Sequence, residues 1–301
     1  MDTPNCTYLI FAHKNPDQLK RLVERLQSDY CNFLISIDKS VDSTNFERAV
    51  SNFSNVSFVQ ERYISQWGSY SFIKSNLAGI RQWLIMNPET HRIVLLSAQD
   101  YPLVSNDVLN KFWLDHPKMN FLSYYSLEQP HLQQHLSRYN RYYFFLTKRL
   151  VLKYPSDGHT LLNRIKDNIL KASGQFPLPH LNPLRYTLYF GSNWVRLTRK
   201  TCLYLIDFCK KNPAMEKYFS YALCPDETFY QTILVNAPAE LIDPINNTNY
   251  TYTHWNRPIE KYSHPLVESD FEELMQSELL FARKFEFPAS LPLMNRIDQS
   301  I

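Results

Sequence analysis

An α/β fold, a central sheet with helices on both faces, is predicted by three observations. Apolar runs of strand length alternate with segments of helical periodicity over roughly the first 122 residues, an order that places parallel strands between crossover helices. Polar residues stand at the C-terminal ends of three of those runs. The chain has 301 residues, 44% hydrophobic and 15% aromatic, enough for one sizeable core.

Thr7-Tyr8-Leu9-Ile10-Phe11-Ala12 is the first strand run. It ends in His13-Lys14-Asn15-Pro16, before an amphipathic helix carrying Leu19, Leu22, Val23 and Leu26. Phe33 to Ile37 is the second and ends in Asp38-Lys39-Ser40. Asn55 to Val59 is a third, and Ile93 to Leu96 a fourth that runs into Ser97-Ala98-Gln99-Asp100-Tyr101-Pro102. Helical patterns from Phe46 to Val50 and from Phe72 to Trp83 lie between. Open α/β sheets bind ligands beyond the carboxyl ends of their strands, so His13, Asp38 and Asp100 point to a nucleotide-type site in residues 1–122. Gly68 is expected to permit a turn, with Ser69 or Ser71 capping the following helix. Beside it Trp67 reads as a core anchor or a pocket wall, and Ile64 joins the candidate donor contacts.

From residue 123 to 184 the pattern weakens. His131, His135, Arg138, Arg141 and several tyrosines crowd together, a helical pattern spans Leu161 to Leu170, and Phe176-Pro177-Leu178-Pro179-His180 reads as an extended loop. A segment of this length is expected to form an acceptor-side wall or lid, with Arg138 and Arg141 as candidate acceptor contacts, or else a solvated surface. In residues 185–301 order returns with a strand-like run from Leu188 to Leu197, holding Gly191-Ser192, and a helix from Arg199 to Cys209 with Thr198 as its cap. A last strand covers Thr251-Tyr252-Thr253-His254-Trp255, and a tail helix runs toward Leu279-Leu280-Phe281-Ala282-Arg283-Lys284-Phe285. The whole is read as a single domain, 1–301.

The stretch around which the rest is organised is Cys224-Pro225-Asp226-Glu227-Thr228-Phe229-Tyr230-Gln231-Thr232-Ile233-Leu234. Pro225 suits a helix start, Asp226 and Glu227 fall in the first turn, and Phe229, Ile233 and Leu234 recur at helical spacing. The acidic pair either matches the helix dipole or stands at a cleft.

Composition excludes several classes. With 32 basic and 29 acidic residues, net +3, and no basic run, no nucleic-acid partner is indicated. Five scattered cysteines without C-x-x-C read as reduced thiols and no zinc site. Five glycines leave no Gly-rich phosphate loop. Neither a signal peptide nor an apolar run near the ~18 residues of a membrane span is present, so a cytoplasmic protein is expected.

Ile10-Phe11-Ala12-His13-Lys14, Ile37-Asp38-Lys39-Ser40, Trp67-Gly68, Gln99-Asp100-Tyr101-Pro102, Gly191-Ser192 with Thr198-Arg199, Pro225-Asp226-Glu227, His254-Trp255 and Leu280-Phe281-Ala282-Arg283-Lys284-Phe285 form an ordered set. In that order the chain resembles the core 2/I-branching β-1,6-N-acetylglucosaminyltransferases, grouped with the peptide O-xylosyltransferases. The likeness covers most of the chain and is weakest over 123–184. It implies a GT-A-like fold with a mixed central sheet, and inverting, metal-independent transfer from a UDP-sugar, N-acetylglucosamine or xylose, to a glycan or lipid-linked oligosaccharide. By the same resemblance Glu227 is the catalytic base and Lys284 holds the diphosphate, with Lys261 or Arg257 as a second cation. Trp255 lies near the acceptor, with Asp226 and Ser192 as further acceptor candidates. Phe11, Ala12, His13, Asp38, Lys39 and Ser40 map to the nucleotide pocket. The animal enzymes carry a membrane anchor and disulfides that this chain does not show. A soluble bacterial-type member, at most peripherally associated with a membrane, is therefore expected.

The residues favour the same chemistry independently. No D-x-D metal motif occurs, so fixed cations must neutralise a leaving diphosphate, and Arg257, Lys261, Arg283 and Lys284 gather near the end. Arg283 is expected to share the phosphate or point to solvent. A non-catalytic glycan- or nucleotide-binding protein of the same fold is the main alternative. A glycosidase using Asp226 and Glu227 is disfavoured, because adjacent residues on a helix diverge and do not flank one bond at ~5–9 Å.

Overall fold

The computed structural model describes residues 6–147, 151–158, 160–176, 180–253 and 264–301. The first half runs β1 (Cys6–Ala12), α1 (Pro16–Leu26), β2 (Cys31–Ile37), α2 (Thr44–Ala49), β3 (Val56–Phe58), α3 (Ser71–Met86), β4 (Arg92–Ser97), β5 (Asp100–Pro102), α4 (Asn106–Asp115) and β6 (Asn120–Phe121). The middle contributes β7 (Tyr125–Ser126), a 3-10 stretch over Pro130–Arg138, β8 (Tyr142–Phe145), β9 (Val151–Tyr154) and α5 (Leu161–Ala172). The last part holds β10 (Tyr189–Phe190), β11 (Arg196–Thr198), α6 (Arg199–Lys211), α7 (Pro213–Ser220), α8 (Phe229–Val235), β12 (Ile245–Asn246), β13 (Thr251–Thr253), α9 (Phe271–Gln276), β14 (Phe281–Arg283) and α10 (Leu291–Ser300).

Among the described residues seven strands make the central sheet, in the order β12-β6-β11-β4-β1-β2-β3. β1 pairs in parallel with β2 and β4, and β2 with β3, whereas β11 is antiparallel to both β4 and β6. The sheet is therefore mixed. Strand alternation divides the interior into two cores. Tyr8, Ile10 and Ala12 face one, under α1, α4, α9 and α10. Leu9 and Phe11 face the other, under α3, α6 and α8. Helix α1 buries Leu19, Leu22, Val23 and Leu26 on one stripe, each worth roughly 1.5–3 kcal/mol over leaving it in water. Thr198 caps α6 by accepting from the Thr201 N–H, as its position implied. All five cysteines are free thiols.

A three-stranded sheet, β13-β14-β5, is attached to the end of β4. Here the expected tail helix is overturned. Residues Phe281–Arg283 form a strand, parallel to β13 and antiparallel to β5, with Arg283 opposite Asp100 and Thr253. Two available ladder partners and the burial of Phe281 and Ala282 outweigh helical spacing. The helix expected from Pro225 is also shorter. Pro225–Glu227 is a single 3-10 turn, Thr228 breaks the spiral at φ −139°, and α8 starts at Phe229. The run from Leu188 to Leu197 is two short strands, β10 and β11. No side chain caps α3. Ser69 Oγ instead accepts from the Ser71 N–H at 3.2 Å, and Ser71 Oγ from the Gln66 N–H at 2.8 Å.

Candidate active site

The Pro225-Asp226-Glu227 turn is held from three sides. Cys224 takes a left-handed conformation at φ 51° and donates its N–H to the Gly68 carbonyl at 2.8 Å. Gly68 makes its own turn at φ 73°. Gly191 donates its N–H to the Glu227 carbonyl at 2.7 Å. It must be glycine, since a Cβ there would lie 1.8 Å from the Ser123 carbonyl oxygen. The third hold is on the Glu227 side chain: Arg138, at the end of the 3-10 stretch, donates to Oε2 at 2.8 Å, with the two side chains 29% and 28% exposed. Burial raises the Glu227 carboxyl above its usual range, and Arg138 opposes that shift. Asp226 is pushed up to about 7, first by burial and then by the Glu227 charge, with Arg138 and Arg283 acting against it.

Arg283 links this turn to the small sheet. Its side chain is 11% exposed, its Nε lies 3.5 Å from Asp100 Oδ1, and its guanidinium stacks 4.1 Å from the centroid of Trp194. It therefore does not point to solvent. Asp100, fully buried, accepts from the Ser97 N–H at 2.7 Å. It anchors Arg283 and offers no free edge to a ligand. Burial and, secondarily, the neighbouring Arg283 lower the ammonium of Lys284 below its ordinary range. The Lys284 backbone is fixed by Leu266 N–H on its carbonyl, 2.8 Å, and by Phe285 N–H on the Gln99 carbonyl, 2.8 Å. Buried Gln18 of α1 completes the clamp, donating to the Ala98 and Phe285 carbonyls at 2.8 and 2.9 Å and accepting from Phe287 N–H at 2.9 Å.

At the end of β1, Lys14 pairs with Glu286 at 2.6 Å. His13 is exposed and its pKa is lowered, by partial burial first and then by Lys14, with Asp38, Lys284 and Glu286 also in its field. Asp38 accepts from Ser40 N–H at 2.8 Å and from Ser65 N–H at 2.8 Å, so the turn after β2 and the Ile64-Ser65 segment are tied together. Arg62 adds bonds to the carbonyls of Ile37 and Asp38 at 3.1 and 3.0 Å. Lys39, Ser40, Ile64 and Trp67 are exposed, Trp67 at 84%, so the core-anchor reading of Trp67 fails. Phe11 and Ala12 are buried, with carbonyls engaged by the N–H groups of Ala98 and Asp38 at 2.8 and 3.0 Å.

Glu227 with Arg138, and Asp100 with Arg283, thus flank Asp226 in one cluster, with Lys284 in the field of Arg283 and His13 in that of Asp38 and Lys284. Arg141 does not join it, since it pairs with Asp157 at 2.6 Å. Ser192 Oγ accepts from the Trp194 N–H at 3.2 Å, and its carbonyl from Gln231 at 2.7 Å. Trp255, Arg257 and Lys261 lie outside the described residues. Sequence reasoning missed Lys14, Gln18, Trp194 and Glu286. Only Lys14 and Glu286 carried a signal, adjacent to His13 and two residues past Lys284. Two surface grooves, one beside α3 at Phe58, Arg81 and Ile85 and one beside α6 at Lys200 and Tyr204, lie away from this constellation. Among the described residues no three His, Cys, Asp or Glu side chains converge as a metal set.

Residues 6–279 match the family model described as Core-2/I-Branching enzyme. The chain belongs to that family. Xylosyltransferase 1 of Rattus norvegicus is 26% identical to this Core-2/I-Branching family member over 305 residues, covering 93% of this chain and 33% of its own length. Xylosyltransferase 2 of Homo sapiens is 25% identical over 322 residues, 99% of this chain and 34% of its own. The family member therefore spans about a third of the length of these relatives. Among solved structures, a 4-diphosphocytidyl-2C-methyl-D-erythritol synthase from Anaerococcus prevotii DSM 20548 covers 40% of this chain and 55% of that one, at TM-score 0.28 and 13% identity, too weak a likeness to inform the fold.

Proposed function

We propose that this chain is an inverting glycosyltransferase of GT-A-like architecture that moves a sugar, xylose or N-acetylglucosamine, from a UDP-sugar to a glycan hydroxyl. The observation that supports this reading is the Pro225-Asp226-Glu227 turn, where Arg138 grips the partly buried Glu227 carboxylate at 2.8 Å and the adjacent Asp226 lies in the field of Arg283, the residue before Lys284. The family and the xylosyltransferase relatives support it.

Glu227 accepts the proton of the acceptor hydroxyl as that oxygen attacks the anomeric carbon from the face opposite UDP. The anomeric C–O bond breaks, and the electron pair leaves on the diphosphate. Burial makes the carboxylate a stronger base, and a base near operating pH contributes about 10²–10⁴-fold. Arg138 keeps it oriented and ionised. Lys284, with Lys261 or Arg257 as the second cation that the sequence offers, supplies positive charge where the diphosphate departs. A cation at ~4 Å from a phosphate gives roughly 4 kcal/mol at an effective dielectric near 20, so two such groups take over a metal's charge-neutralising role. Burial and Arg283 disfavour the Lys284 cation, and an arriving anion offsets that.

UDP release with a saccharide acceptor tests the reading. Glu227→Gln is expected to keep UDP binding and lose at least a hundredfold in kcat. Lys284→Ala is expected to weaken UDP binding, and EDTA to leave the rate unchanged. UDP binding without turnover under any donor and acceptor pairing would favour a non-catalytic binding protein. A rate that requires a divalent cation would defeat the cation argument.

A further inference from the structure

Helix α5 is mounted with its polar side inward. Asp167 accepts from the N–H and the hydroxyl of Ser156, both at 2.9 Å, and Lys166 donates to the Lys153 carbonyl at 2.6 Å and to Ser156 Oγ at 2.5 Å. These bonds fasten the helix to the end of β9. The apolar residues face outward instead: Leu161, Leu162, Ile165 and Ile169 are 72, 79, 47 and 64% exposed, and the helix has no buried residue. At 3.6 residues per turn these four fall within an arc of about 100° on a helix about 18 Å long. Arg164 and Lys171, both exposed, edge that arc on one side, while on the other side the Lys166 ammonium is held inward by the Lys153 carbonyl and Ser156. Asp167 is on the far side.

Scattered exposed apolar side chains need no explanation, but a continuous stripe on one helix does. Its edging with cations selects the occupant. Lys and Arg stems lie along apolar surface while their heads reach outward to phosphate, and a basic-edged apolar stripe is what an anionic bilayer surface binds. Two copies packing stripe to stripe about a two-fold axis would instead bring the exposed cations Arg164 and Lys171 of one copy close to those of the other.

We propose that α5 is an interfacial docking helix that seats this chain on an anionic lipid surface, with the stripe in the headgroup boundary and the exposed cations Arg164 and Lys171 on lipid phosphates. The same middle segment supplies Arg138 to Glu227, so docking would bring the site to an acceptor carried on a lipid. That last consequence rests on the glycosyltransferase reading; the docking itself does not.

The test is co-sedimentation of the full chain, without any nucleotide sugar, with vesicles of phosphatidylcholine alone and with about a third phosphatidylglycerol. Binding is expected to the anionic vesicles and to fall as salt rises. Ile165→Glu with Ile169→Glu is expected to lower it about tenfold or more. Arg164→Glu with Lys171→Glu is expected to abolish the preference for anionic lipid. Both double variants alter exposed positions, so their melting temperatures should match the parent, and UDP release on a soluble acceptor should be unchanged. The proposal is overturned if the parent binds neither vesicle or both equally, or if the isoleucine variant still binds. It is equally overturned if light scattering shows a dimer that the isoleucine pair abolishes, or if that pair loses transfer on a soluble acceptor. Because the vesicle readout needs no turnover, failure of docking and failure of the transfer reading are separately visible.

Discussion

Replacing Arg138 by alanine removes the guanidinium that lies 2.8 Å from Glu227 Oε2. Two unit charges about 4 Å apart interact with about 4 kcal/mol at an effective dielectric of 20. The pair is 29% and 28% exposed, so screening reduces this to about 1–1.5 kcal/mol, or close to tenfold in the proton affinity of the carboxylate. The sign follows from what the base must do. Glu227 accepts a proton only when ionised, burial already raises its pKa, and loss of the cation raises it further. The acid limb of the kcat profile should therefore move toward neutral pH. The variant should be slowest relative to the parent at the acid end and should recover as pH rises, with Arg138→Lys close to the parent throughout. The assay is UDP release under saturating substrates from about pH 5 to about pH 9. A uniform fall in kcat/KM at every pH, with the limb unmoved, would refute the reasoning and leave Arg138 as an acceptor contact only.

Three further outcomes are expected. Gly191→Ala places a methyl 1.8 Å from the Ser123 carbonyl and should destabilise the fold by more than ~3 kcal/mol in urea melts; a neutral result would mean the 190s loop moves freely. Asp226 titrates from 3.8 in the free residue to about 7 in the fold, so the folded state holds the proton more tightly, and stability from this group falls as pH rises between those values and stays low above. Asp226→Asn should consequently raise the melting temperature more at about pH 8 than at about pH 4, and an equal gain at both would contradict the assignment. Gln18→Ala strands two buried carbonyls and one N–H, which should cost about 2–4 kcal/mol and weaken UDP affinity through Lys284. Unaltered affinity in titration calorimetry would show the clamp to be dispensable.

Much of the site's composition was legible because strand ends and a Pro-Asp-Glu turn are local features. Apolar runs of strand length in Tyr8 to Ala12 and Phe33 to Ile37 identified buried strands, and Thr198 announced a helix cap, since each rests on neighbours a few residues away. The acidic pair could be named as a candidate for the same reason. Which side chains meet Glu227 and Arg283 was not legible. Residues 281–283 have helical spacing but become a strand because β5 and β13, about 180 and 30 residues earlier, offer ladder partners. That pairing buries Arg283 between Asp100 and Trp194. Arg138 and Arg141 are three residues apart and alike in sequence, yet one meets the base and the other an aspartate on the surface. The amino-acid order by itself determined the first strand runs of the sheet, which turn carries the carboxylates and which residue types bring charge. Only the tertiary structure decided which charges meet, because burial and opposite-charge proximity are properties of distant segments brought together and leave no mark on local pattern.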